Sequence, residues 1–142
     1  MDFDLKLPAR YKYLQLIRIF VVEVLRTYGI QEYVIDDIRN IIGEASSNVV
    51  KHAYKDINEN VDEIIGIHIC LKRKRVIIEI IDKGKGFKTE FLNSLTQSEI
   101  KKKLDRRNKG GWGLYLIKKI SDKVEFEIDP FKKNVVRVYK KY

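Results

Sequence analysis

"IIGEASSNVVKHAY", residues 41–54, is the stretch on which the reading of the chain turns. Helical spacing sets Glu44 and Asn48 one turn apart on one face. The residues beside them, Gly43, Ala45, Ser46 and Ser47, are small, and isoleucines and valines supply an apolar stripe. A helix built this way can bury one face and still leave space next to a carboxylate and a carboxamide. An isolated Glu-x-x-x-Asn also arises often by chance, with the glutamate in solvent and the asparagine bonded back to its own helix. The rest of the chain has to decide between the two.

The chain has 142 residues and 44% apolar content, enough for one domain with a single core. Lysine and arginine number 29 against 20 aspartates and glutamates, a formal charge of +9. A basic balance admits nucleic acid, an anionic membrane, or a negatively charged ligand or protein as partner. The basic clusters at 72–75, 101–109 and 132–141 carry no DNA-binding motif, so a basic, solvated surface is expected and direct DNA contact is not. The single cysteine, Cys70, allows no intrachain disulfide, which fits a cytoplasmic setting. "MDFDLKLPAR" opens with acids and has no apolar h-region, and the longest apolar run is far short of the ~20 residues a membrane-spanning helix requires.

"DFDLKLP" alternates and then meets Pro8, which predicts a short edge strand. Leu14, Ile17, Val21, Val24, Leu25 and Tyr28 recur at helical spacing over residues 9–28, and Gly29 suits the position just past that helix. A second helix is predicted over 32–54, with Val34, Ile38, Ile41, Ala45 and Val49 along one stripe. "EIIGIHICLKRKRVIIEIID" reads as two strands joined at a basic turn, 72–75. In the second of them Asp82 shares a face with Val76, Ile78 and Ile80, toward the helices, while Ile77, Glu79 and Ile81 share the other. His68 and Cys70 read as ordinary sheet residues, and Glu44, His52 and His68 do not have metal-ligand spacing. A long polar connection, about 84–110, precedes a third helix over 113–121 and a closing hairpin, "DKVEFEIDP" and "NVVRVYKKY". The order predicts an α/β (α+β) two-layer sandwich, with helices on one face of a mostly antiparallel sheet.

Two further motifs sit at element boundaries. "DKGKGF", residues 82–87, ends an apolar strand: two glycines let backbone approach a flat ligand, and a strand-end aspartate accepts from an amino group. "KGGWGLYLIKKI", residues 109–120, sets Gly110, Gly111 and Gly113 before a helix whose free N-terminal amides suit an anion. Each alone reads equally as a glycine turn or a hinge.

In this order the three motifs resemble those of the GHKL ATPase superfamily. Glu44 and Asn48 match its N box, residues 82–86 its G1 box, and Gly111, Trp112, Gly113 and Leu114 its G2 box. The segment "GEASSNVVKHAYK" and the stretch "GGWGLYLIKKISDKVEF" are most similar to the anti-sigma-factor serine kinases of the RsbW and SpoIIAB type, and "LPARYKYLQLIRIF" extends the likeness over nearly the whole chain. The resemblance implies a Bergerat-type ATP-binding fold in a single domain, 1–142, with an ATP lid at about 84–110. It implies ATP or ADP with Mg²⁺, Asn48 as metal ligand and Glu44 as the base acting on a partner serine. Asp82 would accept from the adenine amino group, with Gly84 and Gly86 letting the base lie close. Gly110, Gly111, Gly113 and Leu114 would face the phosphates, with Lys51, Lys109, Arg106 and Arg107 as nearby charges. Arg18 on the first helix corresponds to a partner-facing arginine.

The implied partners are a sigma factor and a STAS-domain anti-anti-sigma factor, with the chain itself a homodimer. A sensor histidine kinase would need a phosphoacceptor histidine on a dimerisation helix, and neither His52 nor His68 fits that role. Many members carry a threonine on the last strand, supporting the adenine site; "NVVRVY" has Val135 and Val136 there. Two readings therefore stand: an ATP-dependent protein serine kinase, for which Glu44 speaks, and a catalytically weak or inactive partner-switching module, for which the missing threonine speaks.

Overall fold

The computed structural model describes residues 1–87 and 112–142. In chain order the elements are β1 (Asp2–Pro8), a 3₁₀ turn (Tyr11–Tyr13), α1 (Leu14–Thr27), α2 (Glu32–Asn48), a π-helical turn (Val49–Ala53), β2 (Ile64–Lys72), β3 (Arg75–Asp82), α3 (Trp112–Ile120), β4 (Lys123–Asp129) and β5 (Lys133–Lys141). The five strands form one sheet in the order β1-β2-β3-β5-β4, antiparallel at every pairing. The α+β two-layer expectation holds, with the helices gathered on one face.

The local chemistry explains the boundaries. Phe3, Leu5 and Leu7 of β1 turn inward, and Pro8 closes an edge strand that, among the described residues, pairs only with β2. The first helix starts later than predicted, at Leu14 rather than near residue 9. Arg10 is extended (φ −127°, ψ 145°), and the chain makes a 3₁₀ turn before it can enter α-geometry. Gly29 ends α1 with φ +69°: its N–H donates to Arg26 O (2.9 Å) and the Ile30 N–H donates to Leu25 O (3.1 Å), a Schellman closure. The second helix, predicted to run unbroken over 32–54, gives way after Asn48 to the wider π turn. Lys74 at φ 60° closes the β2–β3 hairpin.

One contiguous core lies between sheet and helices. Val34, Ile35, Ile38, Ile41 and Ile42 of α2 meet Ile65, Ile67 and Ile69 of β2 and Val76, Ile78 and Ile80 of β3. Asp82 continues that inward row, as its register predicts. The outer sheet face is polar: Arg137 donates to Glu79 (2.7 Å), Glu125 (3.2 Å) and Glu127 (2.7 Å), and His68 lies 2.7 Å from Asp4. Ile77 and Ile81 flank Glu79 on that face and are half-buried. Among the described residues no helix is long and apolar enough to cross a membrane.

These two faces should respond differently to truncation. Ile80→Ala, in the core, is expected to cost about 2–5 kcal/mol in denaturant unfolding, and Ile77→Ala, on the outer face, less than half as much. Equal losses would contradict the assignment of inner and outer faces.

Candidate functional site

The N-box helix ends where a cavity begins. Asn48 is the last residue of α2, with Glu44 one turn behind it, and α3 brings Gly113 close against both side chains. A Cβ at Gly113 would stand 2.7 Å from Glu44 Oε2 and 3.2 Å from Asn48 Nδ2. On the other side, the π turn directs the carbonyl of Ala53 at the residues after β3. It accepts the Lys85 N–H at 2.9 Å, and a Cβ at Gly84 would lie 2.1 Å from the same oxygen. Gly86 is required for a different reason: its φ is +69°, the left-handed region.

Between these contacts lies a cavity of about 340 Å³. Ala45, Val49, Leu114 and Val136 form apolar walls; Asn48, His52, Lys85 and Asp82 contribute polar groups; half-exposed Phe87, edge-on to Phe126 at 5.6 Å, borders it. This is the composition of a small-ligand pocket: mostly apolar, with a few polar groups to orient the occupant.

Asp82 is 8% exposed and pairs with no cation among the described residues. Its Oδ1 accepts the Gly84 N–H (2.8 Å) and the Asn134 side-chain amide (3.0 Å), and the same amide nitrogen donates to Gly84 O (2.9 Å). Burial pushes the Asp82 carboxyl above the usual carboxylate range, and the bonds from Asn134 and Gly84 pull it back. Among the described residues no donor reaches Oδ2, which leaves an acceptor for an amino group at the edge of a flat ligand. Tyr54 braces the same strand end. Its hydroxyl donates to Ile64 O (2.6 Å) and accepts the N–H groups of Lys83 (2.9 Å) and Ile64 (3.1 Å).

The donor set also fits a hard cation of low protein demand. No cluster of three His, Cys, Asp or Glu side chains suits a metal among the described residues. A cation at Asn48 would take its remaining oxygens from water and a bound phosphate, which is how Mg²⁺ is ordinarily held.

The residues singled out from the sequence separate into groups. Asn48, Asp82, Gly86 and Leu114 line the cavity; Gly84 meets the Ala53 backbone; Glu44, one turn behind the lining Asn48, lies against Gly113. Lys51 does not line it. The π turn rotates Lys51 to another cavity, with Arg10, Tyr11, Tyr54, Lys55 and Glu63. Arg18 is half-buried, its guanidinium 3.2 Å from where a Cβ of Gly43 would be. Lys109, Gly110, Gly111, Arg106, Arg107 and the expected lid beyond residue 87 lie outside the described residues. Sequence reading passed over His52, Lys85, Phe87, Tyr54 and Asn134. His52, one helical turn from Asn48, and Lys85 and Phe87, inside the 82–87 motif, carried a signal; Tyr54 and Asn134 did not.

Comparisons with known proteins agree with this geometry. The family model of the histidine kinase-like ATPase domain matches residues 7–140. The chain is 34% identical over 131 residues to the serine-protein kinase RsbW of Staphylococcus aureus, covering 91% of this chain and 81% of that one. It is 35% identical over 125 residues to the RsbW of S. aureus strain MSSA476, covering 87% and 77%. Its fold is similar to a chain in the crystal structure of the SiaB–SiaC complex from Pseudomonas aeruginosa, with a TM-score of 0.74 over 96% of this chain and 88% of that one; at 12% identity this likeness speaks to fold alone. A family match spanning residues 7–140, with relatives 34–35% identical over most of both chains, makes this protein a member of the GHKL-type histidine kinase-like ATPase family.

Proposed function

We propose that the chain is an ATP-dependent protein serine kinase and anti-sigma factor, binding a sigma factor and phosphorylating a STAS-domain anti-anti-sigma partner. The observation that carries this reading is Asp82: a buried carboxylate without a cation among the described residues, one oxygen taken by two N–H donors and the other unclaimed, beside an apolar cavity that Asn48 also lines. The relatives' name, serine-protein kinase, supports the same direction. We further propose one domain over 1–142, a lid over about 84–110, a homodimer, and a cytoplasmic setting.

In this reading Asp82 accepts from the adenine amino group, and the apolar walls exclude water from the base. The amide oxygen of Asn48 is the protein's ligand to Mg²⁺, which when bound would neutralise charge across the phosphates. The free N–H groups at the start of α3, Gly113 and Leu114 among them, face anionic oxygens, with Gly110, Gly111 and Lys109 extending that cradle. Lys51 adds positive potential from the far side of the π turn. Glu44 takes the proton of the partner's serine hydroxyl as that oxygen bonds to the γ-phosphorus, the bond from that phosphorus to the β,γ-bridging oxygen breaks and ADP leaves. Arg18 contacts the protein partners.

The second reading, a partner-switching module with little or no transfer activity, is favoured by one feature: neither Val135 nor Val136 offers a hydroxyl near Asp82. Transfer of label from [γ-³²P]ATP to a STAS-domain protein decides between them. Label on a serine supports the kinase, and Mg·ATP binding without transfer supports the module.

Two outcomes follow from these roles. Glu44→Ala should keep Mg·ATP affinity within a few-fold while transfer falls by roughly 10²–10⁴-fold, the usual worth of a general base. Asn48→Ala should lose Mg²⁺-dependent binding and transfer together. Unchanged transfer in Glu44→Ala would remove the assigned base.

The raised pKa of Asp82 makes a stability statement. Its folded pKa lies above the unfolded one, so the folded state holds the proton more tightly, and stability falls as pH rises from about 3.8 through the folded value. Asp82→Asn should therefore raise the melting temperature of the ligand-free protein near pH 7, and the gain should shrink toward pH 3. A lower melting temperature at pH 7 would show that the carboxylate's hydrogen bonds outweigh its burial.

Arg18→Glu should weaken capture of a sigma factor or a STAS protein while Mg·ATP affinity stays unchanged. Intact capture of both would retire Arg18 as a contact.

A further inference from the structure

The sequence of β5 alternates, and Asn134 falls on its inward row with Val136 and Val138. Either neighbour's residue type would fill that row without burying a polar group. Asn134 is nevertheless 2% exposed, and its Oδ1 is buried with no partner among the described residues. A buried, unpartnered acceptor is uncommon enough to need a reason.

The hydrogen bonds supply it. Asn134 lies opposite Asp82 in the β3–β5 register, and its amide nitrogen donates to Asp82 Oδ1 at 3.0 Å and to Gly84 O at 2.9 Å. Both partners are acceptors, so the amide has one tolerable orientation: flipped, its oxygen would face a carboxylate and a carbonyl. The unpartnered Oδ1 is the consequence, directed to the Gly86 side, where an added Cβ would stand 3.2 Å from it. Asn134 thus spends Asp82 Oδ1 on the protein, ties that carboxylate to the loop through Gly84, and leaves Oδ2 as the oxygen without a described donor.

We propose that Asn134 is a positioning residue for base selection, holding Asp82 as a fixed acceptor so that the cavity takes a purine with a 6-amino group and rejects one with a 6-oxo group. The inference rests on reading the cavity as a nucleotide site. A fixed carboxylate meets an amino group as a donor and a 6-oxo oxygen as a second acceptor, left unpaired and repelled. Freed from Asn134, the carboxyl can rotate or take up a proton, and in the protonated form it can donate to a 6-oxo purine. The hydrogen bond from Asn134 is also the largest of the contributions that oppose the effect of burial on Asp82. The threonine absent at Val135 and Val136 is then replaced in role by a residue one position earlier.

Calorimetric titration of the full chain with Mg·ATP and Mg·ITP tests this, alongside Asn134→Ala, Asn134→Val, Asn134→Thr and Asp82→Ala. The unaltered chain should prefer ATP. Asn134→Ala should lose about 10-fold in ATP affinity, the worth of a hydrogen bond to a charged group, while ITP changes by no more than about 2-fold, so that the ratio moves toward that of Asp82→Ala. Asn134→Thr, which keeps a donor, should recover part of the preference. Asn134→Val suits the strand and should give the same ratio as alanine if the alanine variant does not fold. Parallel loss of ATP and ITP would mean a merely structural role. That result, or an unchanged ratio while Asp82→Ala loses ATP, overturns the inference and leaves the nucleotide reading standing. Absence of binding by either nucleotide to the unaltered chain overturns both.

Discussion

The contact between Gly84 and the carbonyl of Ala53 sets the dimensions of everything around it. The two backbones meet with no space for a Cβ, and the Lys85 N–H bonds to that same carbonyl. The α2–π-turn segment and the end of β3 are therefore joined by backbone, whose geometry varies little, rather than by side chains that can repack. On the α3 side Gly113 lies against the side chains of Glu44 and Asn48, and the Tyr54 hydroxyl ties the start of β2 to the residue after Asp82. The cavity is the space these ties leave. A site on rigid elements with close backbone contacts is what precise orientation of a ligand requires.

The π turn is what makes the first of these contacts available. An α-helix leaves its last carbonyls without intrahelical partners, and local π geometry changes where they point. Here it directs one carbonyl at the loop after β3, at the cost of regular helix and of the face Lys51 would otherwise share. Asp82 shows a comparable trade. A carboxylate taken out of water without a cation is unfavourable, and two N–H donors offset only part of that. On the outer sheet face, by contrast, Arg137 gathers three glutamates into an ion-pair network, so those charges are matched within the face itself. The carboxylate without a cation among the described residues sits at the candidate site, where stability and ligand recognition pull in opposite directions.

Much of this was legible in the chain. Period-two runs located the strands, and β3 alternates cleanly enough to point Asp82 inward; the three motifs fall at the boundaries where the cavity forms. What could not be read depends on pairings between distant residues. Asn134 meets Asp82 only because β5 lies beside β3, 52 residues apart in sequence, and that register decides that Asn134 rather than Val135 faces the carboxylate. Tyr54 reads only as the last residue of the predicted helix until the β2 and β3 backbones are brought to its hydroxyl. The π turn has no distinct composition, so Val49–Ala53 reads as continued helix. The late start of α1 has a visible cause, since Pro8 and an extended Arg10 hold the chain out of helix, and the apolar period itself begins only at Leu14.

The central claim is that this cavity holds the adenine nucleotide. Amide NMR of the unaltered ¹⁵N-labelled chain, titrated with Mg·ATP, tests it most directly. The account predicts that the largest shifts fall on Asn48, Val49, His52, Ala53, Asp82, Gly84, Gly86 and Leu114, and that saturation is reached at a single site. No shifts at millimolar Mg·ATP would contradict it, as would shifts confined to the Arg10, Lys51 and Lys55 surface on the other side of the π turn.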